Sequence, residues 1–271
     1  MVFEQFLESD NIKKHYLFIF LLGIFYVIVS YFVSGYFFEK EISLAVVFTS
    51  TLLLTPSIYT IINIEEKIQS KQGLKHFFHN HKDIFKIFLF LFIGIFIAFV
   101  IIGTYSQKPL FDYQLNFLKT RGDLSGSIIT DINQYTPSIS NVFGLISQNL
   151  IVIAIAFVLS VFYGAGALFL IVLNASIFAG FILHVIKEIG KAFPIISLFL
   201  IHLIPELAGF LVAAIAGGIV SRALMKEKFA SQGFKNIMRD ALVLLLIAVG
   251  LIIISAFLEV FVSARLVKFI I

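Results

Sequence analysis

The chain has 271 residues, of which 60% are hydrophobic and only 13% charged, with a formal net charge of +4 and a mean hydropathy of +1.03. A soluble domain carries about a quarter charged residues, and one domain of this length has too little interior to hide so much apolar surface, which excludes a water-soluble globule. The absence of cysteine excludes disulfides, thiolate metal sites and thiol nucleophiles. The basic balance comes without a nucleic-acid-binding motif, so it is assigned to cytoplasmic loops and anionic headgroups, with no nucleic-acid partner.

Residues 1–16 read as a surface segment without a cleavage signal. Leu17 to Phe38 is a first span, Glu39 to Glu41 a polar turn, and Ser43 to Ile64 a second span containing Pro56. Residues 65–86 are polar, with five lysines and three histidines, and Ile84 to Thr104 is a third span. The long 105–146 stretch carries acids, amides and hydroxyls, with a short amphipathic helix expected around Leu110 to Leu118. Ser147 to Tyr163 and Leu168 to Ile186 follow as spans, separated by Gly164-Ala165-Gly166-Ala167. Phe193 to Ser221 is too long for a simple span and is interrupted by Pro205-Glu206. A proline removes a backbone donor and clashes with the preceding turn, which favours a broken or re-entrant helix there over one long tilted helix. Arg222 to Arg239 is basic, and Ala241 to Phe261 is the last span.

The fold class is therefore all-α, a polytopic membrane helical bundle of about six to seven spans with one broken or re-entrant helix around Pro205. Residues 1–83 form a two-span N-terminal extension with a basic segment, and residues 84–271 a five-span core that includes the 105–146 loop. The N-terminal segment, 64–86 and 222–240 together hold 12 of the 20 lysines and arginines. The positive-inside rule then places the N-terminus in the cytoplasm and 105–146 outside a cell membrane.

A small set of residues is out of place in apolar surroundings. His202 and Glu206 stand four apart around Pro205, as a capped helix break or as an intramembrane ionisable pair. Asn174 lies mid-span, needs a partner, and is within plausible reach of Glu206. Glu259 near the end of the last span is paired by default with Arg265 or with a basic group on a neighbouring helix. Ser160, Ser176 and Ser197 are expected to bond back to their own helices. Gly164, Gly166, Gly180, Gly217 and Gly218 mark close helix approach, within the chain or across a homodimer face. One His and one Glu fall short of a metal-ligand set, and the run Lys75 to Lys82 reads as a solvated face or a headgroup contact. No nucleophile beside a base and no phosphate-binding loop is present. These readings give no catalytic residue, no metal and no cofactor.

The ordered set Phe162-Tyr163-Gly164-Ala165-Gly166-Ala167, Leu173-Asn174-Ala175-Ser176 with Gly180, His202-Leu203-Ile204-Pro205-Glu206 and Ala213 to Gly218 resembles the stage II sporulation protein M family of integral membrane proteins. It covers roughly residues 84–265, and the first two spans resemble an addition seen in archaeal-type members. Asn174, His202, Pro205 and Glu206 match the family pattern, while Leu203 stands where the motif usually has Gly. The resemblance implies a non-enzymatic scaffold or assembly factor in membrane remodelling or envelope complexes. Its partners would be the bilayer and membrane or envelope proteins. The competing reading is a channel or transporter with a polar site at Asn174, His202 and Glu206.

Overall fold

A computed structural model describes residues 16–270 apart from 73–76, 122, 133–134, 164–166, 189–191 and 230. Gly164, Gly166, the surface segment before Tyr16 and the histidine side chains of 75–81 lie outside the described residues. The elements are α1 (Tyr16–Phe37), α2 (Ile42–Gln72), α3 (Phe77–Tyr105), α4 (Asp112–Thr120), α5 (Leu124–Thr130), α6 (Ile139–Tyr163), α7 (Ala167–Glu188), α8 (Ala192–Lys226) and α9 (Gln232–Phe257). A π-helical segment, Leu258–Ser263, joins α9 directly to α10 (Ala264–Ile270). No strand occurs among the described residues.

Apolar runs fold this way because lipid offers backbone groups no hydrogen bonds, and a helix satisfies its own. Among the described residues, six helices are long and apolar enough to cross a membrane, and a seventh apolar stretch, Ile42–Ser57 in α2, is shorter. The protein is a multi-pass helical bundle.

α8 occupies the centre, packing against α9, α6, α7, α2 and α3. Every residue from Gly209 to Ser221 is buried, as expected of a helix that is apolar all round. The predicted break at Pro205 is absent: α8 runs unbroken for 35 residues. The proline leaves the Ile201 carbonyl, four residues back, without its N–H, and the last span grips the turns around it. Ser255 Oγ donates to the His202 carbonyl at 2.8 Å and Ser263 Oγ to the Leu198 carbonyl at 2.9 Å.

Small residues set the helix spacing. A Cβ added to Gly217 would lie 2.6 Å from Ser160 Cβ and 2.7 Å from the Phe157 carbonyl, so α6 and α8 meet backbone to side chain. Ser160 does not only bond back to its own helix; its Oγ donates across this contact to the Ala214 carbonyl at 3.1 Å. Ser176 and Ser197 do bond within their helices, to the carbonyls of Leu173 and Phe193. Gly180 packs under the Phe111 ring, and Gly218 is buried beside Gly217. A second crossing joins α1 to α3, where an added Cβ on Gly23 would sit 2.9 Å from the Leu91 carbonyl and one on Gly94 would run into the Phe20 carbonyl.

Candidate functional site

The segment between α3 and α6 is folded against the bundle. Lys108 Nζ donates to the Gly35 carbonyl at 2.9 Å. Gln114 Nε2, on the buried face of α4, donates to the Ser43 carbonyl at 3.3 Å and to Ser176 Oγ at 3.1 Å. The helix expected around Leu110 to Leu118 is thereby tied to α2 and α7. α5 begins at Asp123, whose Oδ1 accepts the Gly126 N–H at 2.8 Å as a side-chain cap.

Arg121 and Asp123, at the junction of α4 and α5, form an ion pair. The guanidinium stacks over Phe117 at 5.8 Å and donates from Nη2 to Asn149 Oδ1 of α6 at 3.3 Å. The Asn149 side chain is also hydrogen-bonded to Glu206 of α8, so one amide bridges the guanidinium and a buried carboxyl. On the other side, Glu259 Oε1 accepts the Leu124 N–H at 2.8 Å. A carboxyl oxygen that receives the first free N–H of a helix satisfies one of its orphan donors. Glu259 sits in the π-helical segment, a local distortion that often marks functional positions. Measured along the helix axes, Glu206 lies about 21 Å from Ala192 and Asn149 about 15 Å from Ile139. The α4–α5 junction thus reaches well past the helix ends.

One guanidinium serves three carboxyls here. Burial works against the Arg121 charge, but Asp123, Glu206 and Glu259 more than offset it, and its pKa lies above the ordinary value. Burial first, and then the charges of Glu259 and Asp123, push the Tyr135 hydroxyl up as well.

His202 is buried, with its ring edge against Phe199 at 4.5 Å. Its Nδ1 lies 2.9 Å from Ser263 Oγ. That hydroxyl has one proton and gives it to the Leu198 carbonyl, so the imidazole donates from Nδ1 and Nε2 carries the lone pair. A cavity of about 20 Å³ is lined by Arg121, Asp123, Asn174, His202, Glu206 and Glu259 among others, room for a water molecule.

Of the residues singled out in the sequence, Asn174, His202, Glu206 and Glu259 line this cavity, and Pro205 lies half-buried beside Glu206. Asn174 donates to the Leu170 carbonyl of its own helix at 2.9 Å. Glu259 is not paired with Arg265: that side chain is exposed over the Phe261 ring at 5.5 Å, and Glu259 turns inward to Leu124. Among the described residues no group of three or more His, Cys, Asp or Glu is arranged to hold a metal ion. Arg121, Asp123 and Asn149 were missed by sequence reasoning. Their one local signal is an Arg-Gly-Asp triplet in a stretch otherwise rich in hydroxyls and amides.

A family model described as stage II sporulation protein M matches residues 87–264. No curated protein and no solved structure matches the chain.

Proposed function

The chain belongs to the stage II sporulation protein M family, and from that premise we propose that it is a non-enzymatic integral membrane scaffold, an assembly factor in membrane remodelling or envelope complexes. The observation that carries this reading is the locking of the 106–138 segment. Arg121, Asp123 and Leu124 are held by Asn149 and Glu259, and Gln114 and Lys108 fasten the segment to α2, α7 and α1. A segment held from Lys108 through to Leu124 keeps one shape there for a partner, which spares part of the ordering cost of binding.

In this reading the cell membrane holds the protein with its N-terminus in the cytoplasm and the 106–138 segment outside, following the lysine and arginine bias. The outer segment and the basic 222–240 segment are the contact surfaces for envelope or membrane proteins, or for a second copy. The two spans before residue 84 form an extension on the five-span core. The test is cross-linking in native membranes from an exposed position of the segment, such as Thr136. Stoichiometric recovery of a partner is expected. Recovery of none, together with unchanged growth when the segment is replaced, refutes the reading.

A second reading, a channel or transporter, draws on the polar cavity at Asn174, His202 and Glu206. It requires solute flux in reconstituted vesicles that is lost in Glu206→Gln. A cavity of about 20 Å³ holds a water rather than a drug-sized solute, whose sites run to several hundred Å³.

A further inference from the structure

The junction of the 106–138 segment with the bundle has an unbalanced charge. Asp123 from the segment, Glu206 from α8 and Glu259 from the π-helical segment line one small cavity. All three are buried. Among the described residues lining that cavity, Arg121 is the one arginine or lysine. Asn149 of α6 and Asn174 of α7 complete the surroundings with neutral amides. With every carboxyl ionised the junction carries a net charge of minus two. With two protons added it carries none. Uncompensated charge in a buried site costs far more than the hydrogen bonds here return.

We infer that this junction is a proton-operated latch: with two protons on its carboxyls it is neutral and holds the 106–138 segment docked, and as pH rises those protons leave and the segment lifts. The docked state binds more protons than the lifted one, because lifting carries Arg121 and Asp123 away and opens Glu206 and Glu259 to water. Docking is therefore present at low pH and lost as pH rises. The other titratable groups at the junction are Tyr135, whose hydroxyl is pushed above its ordinary range and stays neutral, and His202, whose Nδ1 is committed to Ser263. The latch adds regulation to the assembly reading and rests on its docked segment, not on any partner.

The absence of cysteine makes the test direct. Ser125 lines the cavity and is 8% exposed, whereas Thr136 on the same segment is exposed. Ser125→Cys and Thr136→Cys are labelled in proteoliposomes with a membrane-impermeant maleimide between about pH 5 and about pH 9. The ratio of the two rates cancels the thiol's own titration. The ratio is expected to rise with pH, by at most about tenfold per pH unit for each proton exchanged. In Glu206→Gln/Glu259→Gln it stays at its low-pH value. The single variants, each expected to halve the slope, serve if the double variant does not fold. A ratio that is flat with the carboxyls intact overturns the latch. So does a rise that survives the glutamine variants, which would assign the titration to His202. A high ratio at every pH means the segment is never docked and removes the support for the assembly reading too, whereas a failed cross-linking test leaves the latch standing.

Discussion

Ser255 of the last long helix gives its hydroxyl proton to the carbonyl of His202, 2.8 Å away, in the turn of α8 that Pro205 disturbs. Two residues far apart in the chain thus tie α9 to α8 beside its proline. Removing the hydroxyl leaves a buried carbonyl short of a donor, so Ser255→Ala should lower stability by about 1 kcal/mol. Pro205→Ala restores an N–H to the Ile201 carbonyl and not to that of His202, so the same serine change should cost as much in that background. The thermal midpoints of the four proteins in detergent form a double-mutant cycle, and a serine cost that falls once the proline is gone would show that the two positions are coupled.

Arg121 balances buried acids from three elements. Arg121→Ala strips Asp123, Glu206 and Glu259 of their shared cation, and breaking a buried ion pair costs about 3–5 kcal/mol. Arg121→Lys should recover only part of this, because an ammonium cannot reproduce the planar fork that meets both Asp123 and Asn149. Denaturant unfolding in mixed micelles reads the order wild type, Lys, Ala.

Glu259 and Arg265 should behave as strangers. Glu259→Ala orphans the Leu124 N–H, a loss of about 1–3 kcal/mol for a buried donor, while Glu259→Gln keeps an acceptor and loses less. Arg265→Ala, on an exposed side chain, should leave the thermal midpoint unchanged. A shared loss in Glu259→Ala and Arg265→Ala would revive the pairing suggested by their nearness in sequence.

Two glycines of α6 and α8 predict opposite outcomes. Gly217→Ala places a methyl 2.7 Å from the Phe157 carbonyl, and forcing the backbones apart should cost about 1–3 kcal/mol. Nothing lies within 4 Å of a methyl on Gly144, so Gly144→Ala should be neutral or gain up to about 1 kcal/mol from helix propensity. Thermal melts of the two variants decide it.

The bundle was legible in the sequence because apolar runs of membrane length report directly on lipid. Asn174, His202, Glu206 and Glu259 stood out because polar groups in such runs have no other excuse. The α4–α5 junction was not legible. Arg121 and Asp123 sit in polar company, where charge is unremarkable, and the contact that gives them meaning joins Leu124 to Glu259 across 135 positions. Pro205 misled for a related reason. The rule that proline ends a helix is local, whereas α8 is held among α9, α6, α7, α2 and α3. Glu259 and Arg265 were near in sequence, but the π-helical segment turns the acid inward and leaves the arginine outside.

The glycine crossing of α1 and α3 has a consequence for biosynthesis. Gly23 leaves the ribosome well before Gly94, and at about 5–20 residues per second the first helix waits roughly 4–14 s for the partner it will be wedged against. During that wait the bilayer and α2, which packs against it, must retain it. A mean hydropathy of 2.5 over its most apolar stretch suits α1 to that interval, and its glycine leaves a vacant notch for a helix not yet made.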